Sequence, residues 1–285
     1  MGQLEIKADV FRPPATGRCP VVLWIHGGAL IRLDRTDVNH EIKTGFLNAG
    51  YAIVSIDYRL APESKLPQII EDLRDGYTWL RDHGSRLFDV ETSRIAVVGD
   101  SAGGYLTLMS GFAVQPRPAV LAAFWGYGDI TADWYTKPSA FYRRRPLITK
   151  DEAWKSVGQT PLANGATHAL TRRRFYLYCR QQGLWTNYVS GFDPKTQDSV
   201  LTPYCPARNV ARDYPPTILV HGTEDTDVPY TQSVQMEKEL TRAGVEHRLI
   251  SVPHAGHDLS GGKSRQVAEA YATALAFVER HMKAG

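Results

Sequence analysis

The chain has 285 residues, 43% hydrophobic and 22% charged, a composition that suits one large soluble domain with an insertion and needs no staples. A net charge of +3 excludes a nucleic-acid protein built on basic charge, and no apolar run approaches the length of a membrane span. The three scattered cysteines, Cys19, Cys179 and Cys205, match neither a metal spacing nor a disulfide framework; with no signal-peptide pattern at the start, the expected location is cytoplasmic.

Residues 4–11 alternate apolar and polar side chains and predict a half-buried strand. Residues 20–26 form a nearly continuous apolar run closed by Gly27-Gly28, as a strand buried on both faces does. A helix is expected over about 39–48, stopped by Gly50, then a strand over 51–56. Ile69, Ile70, Leu73, Tyr77 and Leu80 fall at helical spacing, predicting a helix over 66–83 with Gly84 as its stop. A strand over 94–98 runs into Gly99-Asp100-Ser101-Ala102-Gly103-Gly104 and a helix to about 113. Further strands are expected at 119–125, 217–221 and 247–252, with helices near 230–243 and 263–282. Strands alternating with helices imply right-handed crossovers and an α/β fold with a mostly parallel sheet flanked by helices. About ninety residues between the strands at 119–125 and 217–221 break this rhythm and hold two expected helices, near 149–157 and 169–182. A structureless loop of that length is improbable in a compact domain. The expected organisation is therefore a core of 1–130 and 211–285 with an inserted helical cap over 131–210.

Four short strings carry chemistry. Gly99-Asp100-Ser101-Ala102-Gly103 places a serine at a tight strand-to-helix turn, where small neighbours let the chain pass closely and free helix amides face the hydroxyl. His26-Gly27-Gly28-Ala29 ends an early strand, and backbone amides there can approach a developing oxyanion. Glu224, Asp225 and Asp227 follow the strand at 217–221 and compete as the carboxylate. His254 and His257 follow the last strand and compete as the base, since an imidazole titrates near neutrality. The chain order of serine, acid and histidine is that of α/β-hydrolases, and each group follows a strand end, where open α/β sheets place their sites.

Together these strings, with Asp57-Tyr58-Arg59-Leu60-Ala61-Pro62-Glu63, Asp225-x-x-Val228-Pro229 and Ala255-Gly256-His257, resemble the hormone-sensitive-lipase branch of the α/β-hydrolases over about 20–130 and 215–285. The resemblance implies Ser101 as nucleophile, Asp225 and His257 as its partners, and the amides of Gly28, Ala29 and Ala102 as the oxyanion hole, with Gly27 supporting the loop. Ala29 stands where the family usually has a third glycine; its amide survives, and its methyl is expected either to narrow the acyl pocket or to alter which alcohols fit. A lid is expected mainly from 131–210, where the resemblance fails. The 57–63 string has no evident chemistry of its own.

The expected activity is that of a serine carboxylesterase acting on small to medium apolar esters through an acyl-enzyme, with no metal or organic cofactor, and falling below about pH 6.5 as His257 protonates. Amide or formamide hydrolysis, lactone chemistry and acyl transfer need the same triad; a non-catalytic ligand receptor is the rival from another class. Ten aromatic residues lie in 131–190, among them Trp134, Tyr135, Tyr142, Phe175, Tyr176 and Trp185; they read first as cap packing and second as a pocket lining. Residues 131–181 also hold ten Lys/Arg against three Asp/Glu. Arg143-Arg144-Arg145 and Arg172-Arg173-Arg174 read as a solvated face or, more sharply, as steering for an anionic substrate or an acidic carrier protein. The expected partners are thus a small-molecule ester, that carrier, and a second copy of the chain in a homodimer, with no nucleic acid and no membrane span.

Overall fold

A computed structural model of the chain describes residues 4–14, 17–165 and 168–283. Seven strands, β1 (Ala8–Phe11), β2 (Cys19–Ile25), β3 (Ala52–Ile56), β4 (Val90–Asp100), β5 (Val120–Phe124), β6 (Thr217–Gly222) and β7 (His247–Val252), form one sheet in the order β1-β3-β2-β4-β5-β6-β7. Only β1 runs antiparallel to its neighbour. The fold class is thus the mostly parallel α/β sheet expected from the alternation of elements, in the α/β-hydrolase form that the family resemblance implies.

The apolar runs explain the layering. Along β2, Val21, Leu23 and Ile25 feed a core on one face, while Val22 and Trp24 feed the core on the other; Ile95 and Val97 alternate with Ala96 and Val98 along β4 in the same way. The first core is covered by α2 (Leu66–Phe88) and α3 (Ala102–Ala113), the second by α1 (His40–Asn48) through Ile42 and Phe46. Asn39 caps α1 by accepting from the amides of Glu41 and Ile42.

Several boundaries differ from expectation: β4 begins four residues earlier, at Val90, and the helix expected near 149–157 spans only Lys150–Trp154. Helix α2 does not stop at Gly84 but runs on to Phe88 and ends at Asp89, whose φ is +50°. Gly84 is a contact residue: an added Cβ would stand 2.8 Å from Leu80 Cδ1 and 3.0 Å from Thr92 Cγ2. β1 is only four residues long: residues 4–7 alternate in sequence, but beyond the Asp57 amide's bond to the Lys7 carbonyl at 2.9 Å they pair with no strand.

Among the described residues, five α-helices lie between β5 and β6, beside short 3-10 turns: α4 (Asp133–Thr136), α5 (Lys150–Trp154), α6 (Ala169–Gln182), α7 (Trp185–Ser190) and α8 (Asp198–Leu201). α6 has the bounds expected; α4, α7 and α8 were not foreseen, being too short to show a helical period. The chain closes with α9 (Thr231–Ala243), which packs on the first core through Met236 and Leu240, and α10 (Ser264–Lys283), which packs on the second through Ala270, Ala274 and Val278. No helix among the described residues is long and apolar enough to cross a membrane.

Arg173 and Arg174 of the triplet on α6 lie on the solvated face the sequence suggests, but Arg172 does not. Arg172 is 1% exposed and forms a two-pronged ion pair with Glu63, 2.8 Å on each prong. It also donates to the carbonyls of Ile31 and Ala61. Arg180 is equally buried and bound to Asp227 at 2.7 Å. Arg143, Arg144, Arg145, Arg173 and Arg174 do face solvent. The aromatic residues of this segment mostly pack: Tyr135, Tyr142, Phe175, Tyr176 and Trp185 join the same core as β2 and β4, and Trp185 stacks on Tyr135 with centroids 3.9 Å apart.

Candidate active site

β4 ends at Asp100 and α3 begins at Ala102, so Ser101 occupies the turn alone, with φ +50° and ψ −117°. Such backbone costs energy and persists only where its surroundings hold it. Here α3 lies directly on the end of β2: a Cβ on Gly103 would stand 1.9 Å from the Ile25 carbonyl. The serine hydroxyl is thereby raised at the C-terminal edge of the sheet, next to the unpaired first-turn amides of α3.

Beyond β2 the loop doubles back. Gly28 has φ +95°, and a Cβ there would meet the Arg32 carbonyl at 2.1 Å, so only glycine fits. The amides of Ile31 and Arg32 both donate to the Gly28 carbonyl, at 3.0 and 3.1 Å. Among the described residues the amides of Gly28 and Ala29 make no hydrogen bond. They stay available to an external oxygen.

The 57–63 string now has a physical role. The Tyr58 hydroxyl is shared between the carbonyls of His26 and Gly27, at 3.0 and 2.9 Å, and its ring stacks on His26 at 4.2 Å. Burial pushes the His26 imidazole down to about 4, so it stays neutral at ordinary pH. Asp57 accepts from the Arg35 amide and guanidinium, both at 2.8 Å; Arg59 binds Asp72; Glu63 holds Arg172. Trp185 adds a bond from Nε1 to the Ala29 carbonyl at 3.1 Å. Both the string and the helical segment therefore brace the glycine loop. Sequence reasoning found no chemistry in 57–63 because its partners stand thirty or more positions away for Tyr58 and over a hundred for Glu63.

His257 stands between the other two groups. Its Nδ1 is 2.7 Å from Asp225 Oδ2 and its Nε2 is 3.2 Å from Ser101 Oγ. The competing residues are resolved by position. His254 and Glu224 pair with each other at 2.7 Å on the surface, at 78% and 62% exposure. Asp227 is engaged by Arg180 and by the Tyr176 hydroxyl, and its Oδ2 lies 3.9 Å from His257 Nε2.

Asp225 is buried and fully bonded. Its Oδ1 accepts from the amides of Asp227 and Val228, at 2.8 and 2.9 Å. Its Oδ2 also lies 3.3 Å from Nε2 of His221, a residue that sequence reasoning placed at the end of the strand 217–221 and gave no role. The same Nε2 is 3.0 Å from the Val228 carbonyl, and two acceptors at one nitrogen require that nitrogen to carry the proton. Nδ1 of His221 then accepts from the Ser233 hydroxyl at 2.7 Å. Burial alone would raise the Asp225 carboxyl, but hydrogen bonds from His221 and His257 outweigh it and hold the group well below the usual carboxylate range. Burial would likewise lower His257; the bond to Asp225 and the charges of Asp227, Asp225 and Asp258 prevail and push the imidazole up to about 9.

A cavity of about 340 Å³ opens over Ser101, walled by the glycine loop, Arg32, Asp37, Asp100, Tyr176, Asp227, His257 and Asp258. Of the ten aromatic residues in 131–190, only Tyr176 reaches it. No group of three or more His, Cys, Asp or Glu side chains among the described residues is arranged to hold a metal.

Comparison with known proteins agrees with this architecture. Residues 8–118 match the BD-FAE family and residues 170–285 the prolyl oligopeptidase family. An α/β hydrolase superfamily protein from Enterococcus faecalis superposes with a TM-score of 0.76 at 22% identity, over 96% of this chain and 95% of that one. A bacterial heroin esterase superposes with a TM-score of 0.72 at 23% identity, over 100% of this chain and 82% of that one. In sequence, 99% of the chain aligns at 26% identity with the non-reducing polyketide synthase adrD of Penicillium rubens. The chain spans 13% of the length of that relative.

Proposed function

We propose, from the premise that the chain belongs to the α/β-hydrolase superfamily, that it is a serine hydrolase cleaving carboxylic esters through an acyl-enzyme. The observation that carries this reading is the unbroken line Ser101 Oγ, His257, Asp225 beside a cavity whose glycine-loop amides are free. His257 Nε2 takes the hydroxyl proton as Oγ attacks the ester carbonyl. Asp225 fixes the tautomer and stabilises the imidazolium. The amides of Gly28, Ala29 and Ala102 receive the oxyanion. The imidazolium gives its proton to the departing alcohol; the neutral imidazole so formed then takes a proton from the water that attacks the acyl-enzyme, and returns it to Ser101 as the acid leaves. In this reading the helices of 131–210 act as a lid, tied to the glycine loop by Arg172 and Trp185.

Labelling with a fluorophosphonate, in wild type and in Ser101→Ala, tests the nucleophile. Labelling and turnover of short p-nitrophenyl esters are expected in the wild type and absent from the variant. Equal labelling of both proteins would end the proposal.

One further observation favours transfer of a carrier-bound acyl group by the same triad. The chain aligns almost end to end with a small part of a polyketide synthase, and its exposed Arg143, Arg144, Arg145 and Arg173 make no ion pair among the described residues. An acyl thioester on an acidic carrier would then outcompete the free p-nitrophenyl ester, and the advantage would shrink with salt. No advantage at low salt would discard the carrier.

A further inference from the structure

The polar groups around the Ser101 cavity are not equally committed. Asn39 caps α1 through Oδ1 and donates from Nδ2 to the Tyr271 hydroxyl at 3.4 Å. Tyr176 and Asp227 are bound to each other and to Arg180. Arg32, which follows the glycine loop directly, differs. Its Nε is buried without a partner, and its guanidinium makes no hydrogen bond or ion pair among the described residues. The contrast with Arg172 and Arg180 is sharp, since those buried guanidinium groups are bound by carboxylates. Arg32 is thus, among the described residues, an uncommitted side-chain donor at the cavity beside the free glycine-loop amides, with up to five N–H groups in a rigid fork.

The surroundings narrow what Arg32 can hold. Asp37, Asp100, Asp227 and Asp258 wall the same cavity, so a full negative charge entering with the substrate would face four acidic side chains. A neutral acceptor oxygen draws on the guanidinium without that repulsion. A plain hydrocarbon chain would strip water from Arg32 and offer nothing in return, a penalty that sites built for hydrogen bonding impose on analogues lacking the polar group.

We propose that Arg32 is a specificity-determining residue of this site, and that the preferred substrates are oxygenated esters, carrying a hydroxyl or carbonyl oxygen besides the scissile ester, rather than plain alkyl esters. The proposal rests on the serine-hydrolase reading and replaces the apolar substrate expected from the sequence.

Two matched pairs test it and distinguish the side of the ester that Arg32 reads: p-nitrophenyl 3-hydroxybutyrate against p-nitrophenyl butyrate, and 2,3-dihydroxypropyl butyrate against propyl butyrate. Wild type is expected to favour the oxygenated member of at least one pair by about ten-fold or more in kcat/KM. Arg32→Met should bring that ratio close to one, and Arg32→Lys, which keeps the charge but loses the fork, should leave an intermediate ratio. Circular dichroism confirms that each variant folds, and the lysine variant carries the test if the methionine variant does not. No preference in either pair, or equal loss on both members in the variants, overturns the assignment of Arg32. Should wild type neither label with fluorophosphonate nor turn over any of the four esters, the hydrolase reading itself fails, and this inference with it.

Discussion

Strands β2, β4, β5 and β6 bury apolar side chains on both faces, whereas the segment between β5 and β6 reaches the sheet largely through aromatic rings and two buried cations. The strands are held by area removed from water, a force without direction that tolerates any side chain of suitable size. The helical segment is held at named points: Arg172 on Glu63, Arg180 on Asp227, Trp185 on the Ala29 carbonyl. All three points touch the loops that carry the site. Packing on the sheet thus makes a platform, and directional bonds from the helices set the loops upon it.

If that division is right, chemistry and stability separate under mutation. The largest effect is expected at Ser101→Ala, a loss of at least about a thousand-fold in kcat/KM with an unchanged urea midpoint. A variant that also unfolded early would show that the strained turn serves the fold.

Arg172→Met comes next, because it leaves Glu63 buried without its partner. A loss of about 3–5 kcal/mol in urea unfolding is expected. The double variant Glu63→Leu with Arg172→Met should recover a large part of it. Loss below about 1 kcal/mol in the single variant would erase the distinction between the two regions.

Tyr58→Phe removes only the hydroxyl shared by the carbonyls of His26 and Gly27. It should cost about 1 kcal/mol of stability and lower kcat several-fold through a looser glycine loop. An unaltered kcat would mean that Trp185 and Arg172 suffice to hold the loop.

The smallest effect concerns pH. A base must be neutral to accept the serine proton, and surrounding carboxylates push His257 up to about 9. kcat/KM should therefore rise as pH climbs through that region, and the expected fall near pH 6.5 moves upward accordingly. Asp258 is 70% exposed, with Oδ1 3.9 Å from His257 Nε2 and φ +59°, a conformation that asparagine tolerates. Asp258→Asn should move the rising limb to lower pH, and added salt should bring the two profiles together. A limb that does not move would leave Asp225 and Asp227 as the charges that matter.

Much of the platform was legible in the amino-acid sequence. Buried parallel strands show as apolar runs, so β3, buried at every position, falls within the expected 51–56, and helical spacing places α6 on 169–182. Ser101 stood out because a strand-to-helix turn demands small neighbours. Choosing Asp225 and His257 among nearby acids and histidines took a family resemblance, since any loop carboxylate looks alike until its partners are known. Tertiary structure alone decided that His254 and Glu224 satisfy each other at the surface, that His221 steadies Asp225, that Gly84 is a contact and not a stop, and that Arg172 is an anchor while Arg173 is solvated. The reason is the range of the forces concerned. Hydrophobic periodicity is written in neighbouring residues, but a buried ion pair joins side chains 109 positions apart, and nothing local distinguishes the arginine that finds its carboxylate from the one beside it.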